Sequence, residues 1–259
     1  MLKVVVAIKQ ILNPSGFTVN RRREKIFVNR EEYIINPADL NALEMALRLK
    51  DEYDNMEVMA LGLGPARVDD ALREAIGRGA DSGVLISDPA LADLKTDTAG
   101  AARLIAAALK KIDDVGLVLC GTSALDSGAG ELPGRLAEVL GWSLLAEVYK
   151  IDEVDDETVN VSQRAVRLEA GLPAILTVPR YANQPRYIYG VRAINAYHEG
   201  KVVTWGLEDL GLVPDDLEPL IRLGGRRFPP ERALGTRLEG SLEEAVDSLV
   251  AQLKANELI

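Results

Sequence analysis

The sequence predicts an α/β protein in which helices cover both faces of a mostly parallel sheet. Over the first two-thirds of the chain, short aliphatic runs alternate with longer segments that carry one apolar stripe at helical spacing. Strands buried on both faces are apolar throughout, whereas a helix on a sheet is apolar on one side only. Hydrophobic residues make up 47% of the 259 residues and aromatic residues only 5%, so we expect an aliphatic core.

Four strands and four helices follow from this pattern. The apolar runs that predict strands are Lys3–Ile8, Glu57–Leu63, Gly83–Ser87 and Leu117–Cys120. The periodic segments that predict helices are Pro37–Lys50, Pro65–Arg78, Asp97–Lys111 and Glu131–Leu140. Phe17–Val19 and Lys25–Val28 predict a small hairpin between the first strand and the first helix.

The pattern changes after Gly141. Short strands are predicted at Leu144–Lys150, Thr158–Ser162, Ala165–Glu169 and Ala174–Val178, and we expect them to flank the sheet in antiparallel fashion. From Pro179 onward Pro and Gly recur while hydrophobic residues stay frequent, which predicts an extended arm that must bury its apolar side chains against another surface. Ser241–Leu253 predicts a terminal helix with Ser241 as its N-cap.

Composition excludes several classes of function. The net charge is -10, and the acidic excess disfavours binding to a phosphate backbone, so no nucleic-acid partner is expected. A single cysteine, Cys120, excludes an internal disulfide and a multi-cysteine metal site, and a single histidine, His198, excludes a multi-histidine site. Neither residue lies in a catalytic motif, so no catalytic residue and no metal ligand is predicted. The apolar run at the N-terminus is too short for a signal peptide or a membrane span, and we expect a soluble, cytoplasmic protein.

The best candidate site lies where strands end. Parallel sheets bind ligands beyond the carboxyl ends of their strands. The segment Gly121–Gly134 after the fourth strand is rich in small residues and leads into a helix, so its backbone N–H groups could hold an anion. It is neither a P-loop nor a dinucleotide glycine motif, so phosphate binding and a purely structural turn both stay open. Asn36–Asp39 and Gly62–Pro65 are expected at the same edge, and together they predict a nucleotide pocket that holds its ligand without transforming it.

Several motifs in these loops resemble the β subunit of electron transfer flavoproteins. The resemblance runs in order from residue 1 to the terminal helix. It is carried by Val6–Gln10, Ile35–Asp39, Ala42–Lys50, Leu72–Asp81, Leu119–Asp126, Leu136–Trp142, Pro173–Val178 and Gln184–Tyr187.

The resemblance implies an αβ heterodimer. Residues 1–180 would form a flavodoxin-like, Rossmann-like nucleotide-binding domain, and residues 181–259 an arm that embraces the α subunit. The β-subunit pocket of this family holds AMP in ordinary members and a second FAD in electron-bifurcating members. The residues implied to bind the cofactor are Ala7, Asn36, Pro37, Ala38, Asp39, Leu63, Gly121, Thr122, Ser123, Ala124, Leu125, Asp126, Ser127, Gly128, Ala129, Gly130, Glu131 and Leu132. A recognition loop that docks partner dehydrogenases would fall at about Tyr187–Ala196.

The sequence departs from the family pattern at informative positions. Thr122 and Ser123 replace a common Lys-Gln pair, and Glu131 stands where a Gln is expected and would bring a carboxylate near bound phosphate. Gly190 replaces an anchoring Leu of the recognition loop. Three segments are more similar to the members associated with nitrogen fixation and quinone reduction, namely Tyr187–Gly190, Ala196–His198 and Val203–Trp205.

That branch implies FAD in the pocket and electron bifurcation from NADH toward quinone and a low-potential ferredoxin or flavodoxin. The complex would reach a membrane only through other subunits. The alternative within the family is a structural AMP and electrons from acyl-CoA dehydrogenases passed through the FAD at the α subunit. Outside it, a stand-alone adenine-nucleotide binder or ATP-using ligase, and a scaffold with an empty pocket, also stay open.

Overall fold

The computed structural model describes residues 2–94, 97–198, 200–221, 228–229 and 235–259. The described strands are β1 (Leu2–Ile8), β2 (Gln10–Leu12), β3 (Phe17–Asn20), β4 (Lys25–Val28), β5 (Tyr33–Ile35), β6 (Met56–Leu63), β7 (Ser82–Ile86), β8 (Val115–Gly121), β9 (Ser143–Leu145), β10 (Lys150–Val154), β11 (Thr158–Ser162), β12 (Arg167–Gly171), β13 (Ala174–Val178) and β14 (Val202–Trp205). The described helices are α1 (Pro37–Glu52), α2 (Val68–Arg78), α3 (Pro89–Leu94), α4 (Thr98–Lys111), α5 (Leu132–Leu140), α6 (Gly190–His198) and α7 (Leu242–Ala255).

A parallel sheet forms the centre of the fold, with strand order β14-β7-β6-β1-β8-β13-β9. Successive residues of β1 point to opposite faces, so Val4 and Val6 pack into one aliphatic cluster and Val5 into another. The first cluster contains most of the buried apolar residues of α1 and α2, and the second contains most of those of α4 and α5. The predicted α/β class, with helices on both faces, is therefore confirmed.

The predicted strands and helices of the first 140 residues are found with small changes at their ends. Helix α2 begins at Val68 rather than Pro65, because Pro65 starts a turn in which the Val68 N–H donates to the Pro65 carbonyl at 2.9 Å. The hairpin is confirmed as β3 paired with β4. A further antiparallel pair, β2 with β5, joins the end of β1 to the start of α1.

The antiparallel prediction for the segment after Gly141 is only partly right. Strands β10, β11 and β12 form a separate antiparallel sheet, as expected. Strands β13 and β9, in contrast, are parallel members of the central sheet. Every residue of β13 is buried, which is typical of an interior strand covered on both faces.

The prediction of an extended arm is wrong for Gly190–His198 and Val202–Trp205. Strand β14 adds to the central sheet beside β7, and α6 packs on α2. The backbone carbonyl of Ala196 accepts a hydrogen bond from Arg73, and Ala196 itself is fully buried. This chain therefore covers part of the apolar surface expected to need a partner, including Ala196, Leu207 and Leu217, while most of the large apolar side chains after Pro179 stay exposed.

The chain divides into two compact units. One comprises residues 1–20 and 25–223, so it continues beyond the predicted boundary at residue 180, and the other comprises residues 21–24 and 224–259. In the second unit Ser241 is the N-cap of α7, as expected. The Ser241 hydroxyl accepts a hydrogen bond from the Glu244 N–H, and the Glu244 carboxylate accepts one from the Ser241 N–H. The role of residues 181–259 in holding a partner stays a proposal. Among the described helices, none is long and apolar enough to cross a membrane.

A buried carboxylate on α1 fixes the segment that follows β13. Glu44 is buried and accepts hydrogen bonds from the Arg186 backbone N–H at 3.0 Å, from Arg186 Nε at 2.9 Å and from Arg48 Nε at 2.9 Å. Burial raises the pKa of Glu44, but these bonds outweigh it and hold the pKa below its ordinary value. One turn earlier on α1, Asn41 and Asn183 exchange hydrogen bonds.

We expect Glu44→Gln to lower the free energy of unfolding by about 2 kcal/mol, because hydrogen bonds to a charged acceptor contribute about 1.5–3 kcal/mol each and an amide keeps only part of them. Denaturant unfolding measures the change. The control is Glu52→Gln, which removes an exposed carboxylate from the same helix. Equal effects of the two substitutions would show that Glu44 does not fix the segment.

Candidate functional site

A cavity of about 300 Å³ opens at the carboxyl ends of β1, β6 and β8. The predicted residues that line it are Ala7, Asn36, Asp39, Leu63, Gly121, Thr122, Ser123, Ala124, Ser127, Ala129, Gly130, Glu131 and Leu132. Its volume lies at the lower end of the range for ligand pockets, about 300–1,000 Å³. The three loops expected at one edge of the sheet therefore do meet around one space.

The other predicted site residues do not line this cavity. They are Pro37, Ala38, Leu125, Asp126 and Gly128. Pro37 faces a second, more open depression beside Tyr181, and Ala38 is buried beneath Gly121. Leu125 is exposed. They flank or support the cavity instead.

Sequence reasoning missed part of the lining. The missed residues are Ile8, Lys9, Leu61, Asp97, Thr98, Ala101, Ile105, Cys120 and Pro133. Lys9 could have been found, because it comes directly after a predicted strand end, where a ligand was expected. Asp97, Thr98, Ala101 and Ile105 come from the start of α4, whose approach to the cavity depends on tertiary packing.

Asp39, in the first turn of α1, joins two strand ends. Its carboxylate accepts the backbone N–H of Lys9 at 2.8 Å, that of Gly121 at 3.2 Å, and the side-chain amide of Asn36 at 2.9 Å. Lys9 follows β1 and Gly121 ends β8, so one buried side chain sets the spacing of the two strands beneath the cavity. Burial raises the pKa of Asp39 to about 7, although these N–H donors favour the charged form.

Asn36 ties the loop of residues 121–131 to the start of α1. Its amide nitrogen donates to the Ser123 carbonyl at 3.0 Å, and its amide oxygen accepts the Leu125 N–H at 3.1 Å. Although Asn36 stands directly before α1, its side chain makes no cap hydrogen bond to that helix. Both of its polar atoms are used inside the protein, which makes Asn36 a support of the loop.

Two charged residues that line the cavity, Lys9 and Glu131, form ion pairs with other residues of the chain. The Lys9 ammonium pairs with Asp126 at 2.8 Å, and Glu131 pairs with Arg135 one turn along α5, with Nε and Oε2 3.1 Å apart. Partial burial raises the pKa of Asp126, but the bond from Lys9 outweighs it and the pKa lies below its ordinary value. The carboxylate of Glu131, expected to oppose a phosphate, is thus partly neutralised by Arg135.

Asp97 lines the cavity and joins two segments of the chain by hydrogen bonds. Its carboxylate accepts the N–H groups of Ala99 and Gly100 as the cap of α4, and those of Leu220 and Ile221 from the chain beyond β14. Burial raises its pKa, but the four hydrogen bonds lower it by more, so the pKa lies below its ordinary value.

The site offers little for bond chemistry. Cys120 is buried at the end of β8, and burial raises the pKa of its thiol far above the ordinary value, so it is a small apolar residue here. His198 is exposed on α6. Among the described residues no group of acidic, histidine and cysteine side chains could hold a metal ion. The arrangement can hold a ligand in a partly apolar space, with backbone N–H groups nearby.

The expected recognition loop becomes helical at Gly190, where α6 begins. Its large apolar side chains are exposed, and Tyr187 is 91% exposed, whereas Ala196 is buried. The other exposed apolar residues of this segment are Ile188, Tyr189, Val191, Ile194 and Tyr197.

Comparison with known proteins finds a consistent set of relatives. The model of the electron transfer flavoprotein domain matches residues 25–210. The chain is 30% identical to the caffeyl-CoA reductase-Etf complex subunit CarD of Acetobacterium woodii, with all of both chains covered. It is 28% identical to the electron transfer flavoprotein subunit beta of Thermoanaerobacterium thermosaccharolyticum, again over all of both chains. It is 30% identical to protein FixA of Bradyrhizobium diazoefficiens, over 98% of this chain and 91% of that protein.

The raised pKa of Asp39 has a consequence for stability. The pKa of Asp39 is about 7 in the folded protein and has the ordinary value of 3.8 in the unfolded chain, so the folded protein binds the proton more tightly than the unfolded chain does. The contribution of Asp39 to the free energy of unfolding therefore falls as the pH rises from 3.8 to about 7. Asp39→Asn removes the titration. We expect the wild type to exceed Asp39→Asn in stability by more at pH 5 than at pH 8, measured by denaturant unfolding. An equal difference at both values would contradict this.

Gly121 has no room for a side chain. A Cβ there would collide with the Asp39 carboxylate and with Ala38. We expect Gly121→Ala to lower the free energy of unfolding by about 1–3 kcal/mol, as overpacking does. Gly134→Ala is the matched control, because a Cβ at Gly134 meets nothing within 4 Å and alanine is favoured within α5. Calorimetry would refute the crowding argument if both variants unfolded like the wild type.

Proposed function

The chain belongs to the electron transfer flavoprotein family, and from that premise we propose that it is a β subunit that binds FAD in the cavity. In this proposal it takes part in electron bifurcation from NADH toward quinone and a low-potential ferredoxin or flavodoxin. The observation that carries the proposal is the small-residue loop of residues 121–131, tethered by Asn36 over a cavity at the carboxyl ends of parallel strands.

The residues present fit an adenine nucleotide. Leu61, Leu63 and Ile105 supply an apolar wall, which suits an adenine ring and excludes water from it. Gly128 has a φ of +67°, and together with its small neighbours it keeps side chains away from the backbone N–H groups of the loop. Because the cavity measures about 300 Å³, it suits the adenosine end of FAD, and the flavin ring would extend beyond it.

Bound flavin would supply the electron chemistry, since no side chain of the cavity does so. This chain's own contribution is to hold and orient the nucleotide. The bonds among Asn36, Asp39 and the two strand ends keep the cavity's floor fixed, and Lys9 and the loop would face the phosphate groups. The residues proposed to bind the cofactor are those predicted from the sequence that line the cavity, with Lys9 added; Pro37, Ala38, Leu125, Asp126 and Gly128 are proposed as supports.

Partner subunits are proposed from the apolar surface left uncovered. We propose that an electron transfer flavoprotein α subunit covers the apolar stripe of α7, where Leu242, Val246 and Leu249 are exposed. The segment from Tyr187 to Tyr197 is proposed to dock a redox partner, either a dehydrogenase or reductase or a quinone oxidoreductase subunit. The relatives named as reductase complex subunits support such a partner. We place the chain in the cytoplasm, where other subunits could bring the complex to a membrane.

A conventional electron transfer flavoprotein is the second candidate. In it the cavity holds a structural AMP, and electrons pass from acyl-CoA dehydrogenases through the FAD at the α subunit. The cavity volume, which suits AMP without any extension, favours this candidate. Relatives named as electron transfer flavoprotein subunit beta are similar to the chain over its full length.

Counting nucleotides in the native complex separates the candidates. We expect acid extraction of the purified complex to release two FAD for each copy of this chain, because one FAD would occupy this cavity and one the partner subunit. One FAD and one AMP would instead support the conventional candidate. A complex in which this chain contributes no nucleotide would overturn the proposed function and leave a scaffold.

A further inference from the structure

Lys9 is the only basic residue among the described residues that line the cavity. It comes directly after β1, and its backbone is fixed because its N–H donates to Asp39. Its ammonium is held by Asp126, a residue of the 121–131 loop that does not line the cavity. The cavity's one cation is therefore paired with a group just outside it.

The acidic residues of the same cavity are satisfied independently of Lys9's ammonium. Asp39 accepts three N–H donors, Asp97 accepts four backbone N–H groups, and Glu131 pairs with Arg135. An anion that enters the cavity would therefore meet carboxylates that already accept hydrogen bonds from other groups, and one ammonium, that of Lys9.

We infer that Lys9 recognises the phosphate of an adenine nucleotide in this cavity by exchanging Asp126 for a phosphate oxygen. The inference deepens the proposed function and rests on it. It names the side chain that distinguishes a phosphorylated nucleotide from a nucleoside, and it makes Asp126 the counter-ion that competes with the ligand.

The environment of the pair permits this exchange. The side chains of Lys9 and Asp126 are 47% and 42% exposed, and ion pairs as exposed as this contribute little to stability. A phosphate carries more charge than a carboxylate and would also meet the backbone N–H groups of the loop, so Lys9 gains by changing partner. No change of fold is needed, because the lysine stem is flexible while its backbone stays on Asp39.

The position of Asp126 is equally well defined. The preceding residue, Leu125, donates its N–H to Asn36, so the loop holds Asp126 within reach of Lys9. Removing the Asp126 charge should release the ammonium to the cavity. Asp126 thus lowers the affinity for phosphate, although the resemblance assigned it to cofactor binding.

The test compares AMP with adenosine. Isothermal titration of the purified complex, freed of nucleotide at this cavity, would be carried out on the wild type, Lys9→Gln, Asp126→Asn and the control Lys110→Gln, which removes a charge from the exposed side of α4. We expect the wild type to prefer AMP and Lys9→Gln to lose about tenfold in AMP affinity, as for a charge-assisted hydrogen bond. Adenosine, which has no phosphate, should bind to the wild type and to Lys9→Gln with the same affinity. Asp126→Asn should bind AMP several-fold more tightly, and Lys110→Gln should match the wild type.

The outcomes separate the inference from the proposed function. If Lys9→Gln keeps the full preference for AMP, the loop N–H groups alone hold the phosphate, and the inference is wrong while the nucleotide site stands. Equal binding of AMP and adenosine by the wild type would mean that the cavity does not recognise the phosphate at all, which also contradicts the inference while the nucleotide site stands. Tighter AMP binding by Asp126→Asn supports the exchange even if Lys9→Gln folds poorly, and unchanged or weaker binding contradicts it. A wild-type complex that binds neither AMP nor adenosine nor FAD here overturns both.

Discussion

The candidate site depends on the hydrogen bond that Asn36, the residue before α1, donates to Asp39 in the first turn of that helix. A buried carboxyl is costly unless it is hydrogen-bonded, and Asp39 meets that requirement only where the ends of β1 and β8 lie side by side. Asn36 continues the same network into the 121–131 loop. The polar groups therefore fix the geometry of the carboxyl end of the sheet, which aliphatic packing alone would leave less specific.

This network explains how a loop so rich in small residues holds a shape. Glycine and alanine bring few contacts of their own, and the bonds from Asn36 to Ser123 and Leu125 supply the missing restraint from outside the loop. The N–H groups of Gly121, Thr122, Leu125 and Gly128 donate within the protein, and other backbone N–H groups of the loop can then be left for a ligand. The same design accounts for the chemistry of the site, because Cys120 is a buried apolar residue and the carboxylates serve as hydrogen-bond acceptors. In the proposed function the chain holds a carrier of electrons and relies on that carrier for the reaction.

Much of this could be predicted from local pattern, and the rest depends on distant contacts. The uninterrupted apolar strands β1, β6, β7 and β8 follow from composition, and their ends located the site. The sequence predicts β13 and β9 as antiparallel strands, whereas both are parallel, because strand direction is set by the path of the connecting chain. Strand β14 has only four residues, which is too short a pattern to indicate the strand that it pairs with, and its position beside β7 follows only from the folded structure.

The ion pair of Lys9 and Asp126 joins residues 117 positions apart, which no local pattern encodes. Glu131 and Arg135, four apart on one helix, could have been paired from spacing alone.

The most direct test of the account is a crystal structure of the native complex with its nucleotides retained. We expect adenosine in the cavity between the end of β1 and the 121–131 loop, with its phosphate against N–H groups of the loop and the bonds of Asn36 and Asp39 unchanged. Adenosine found elsewhere in the complex, with only solvent at the carboxyl end of this sheet, would contradict it.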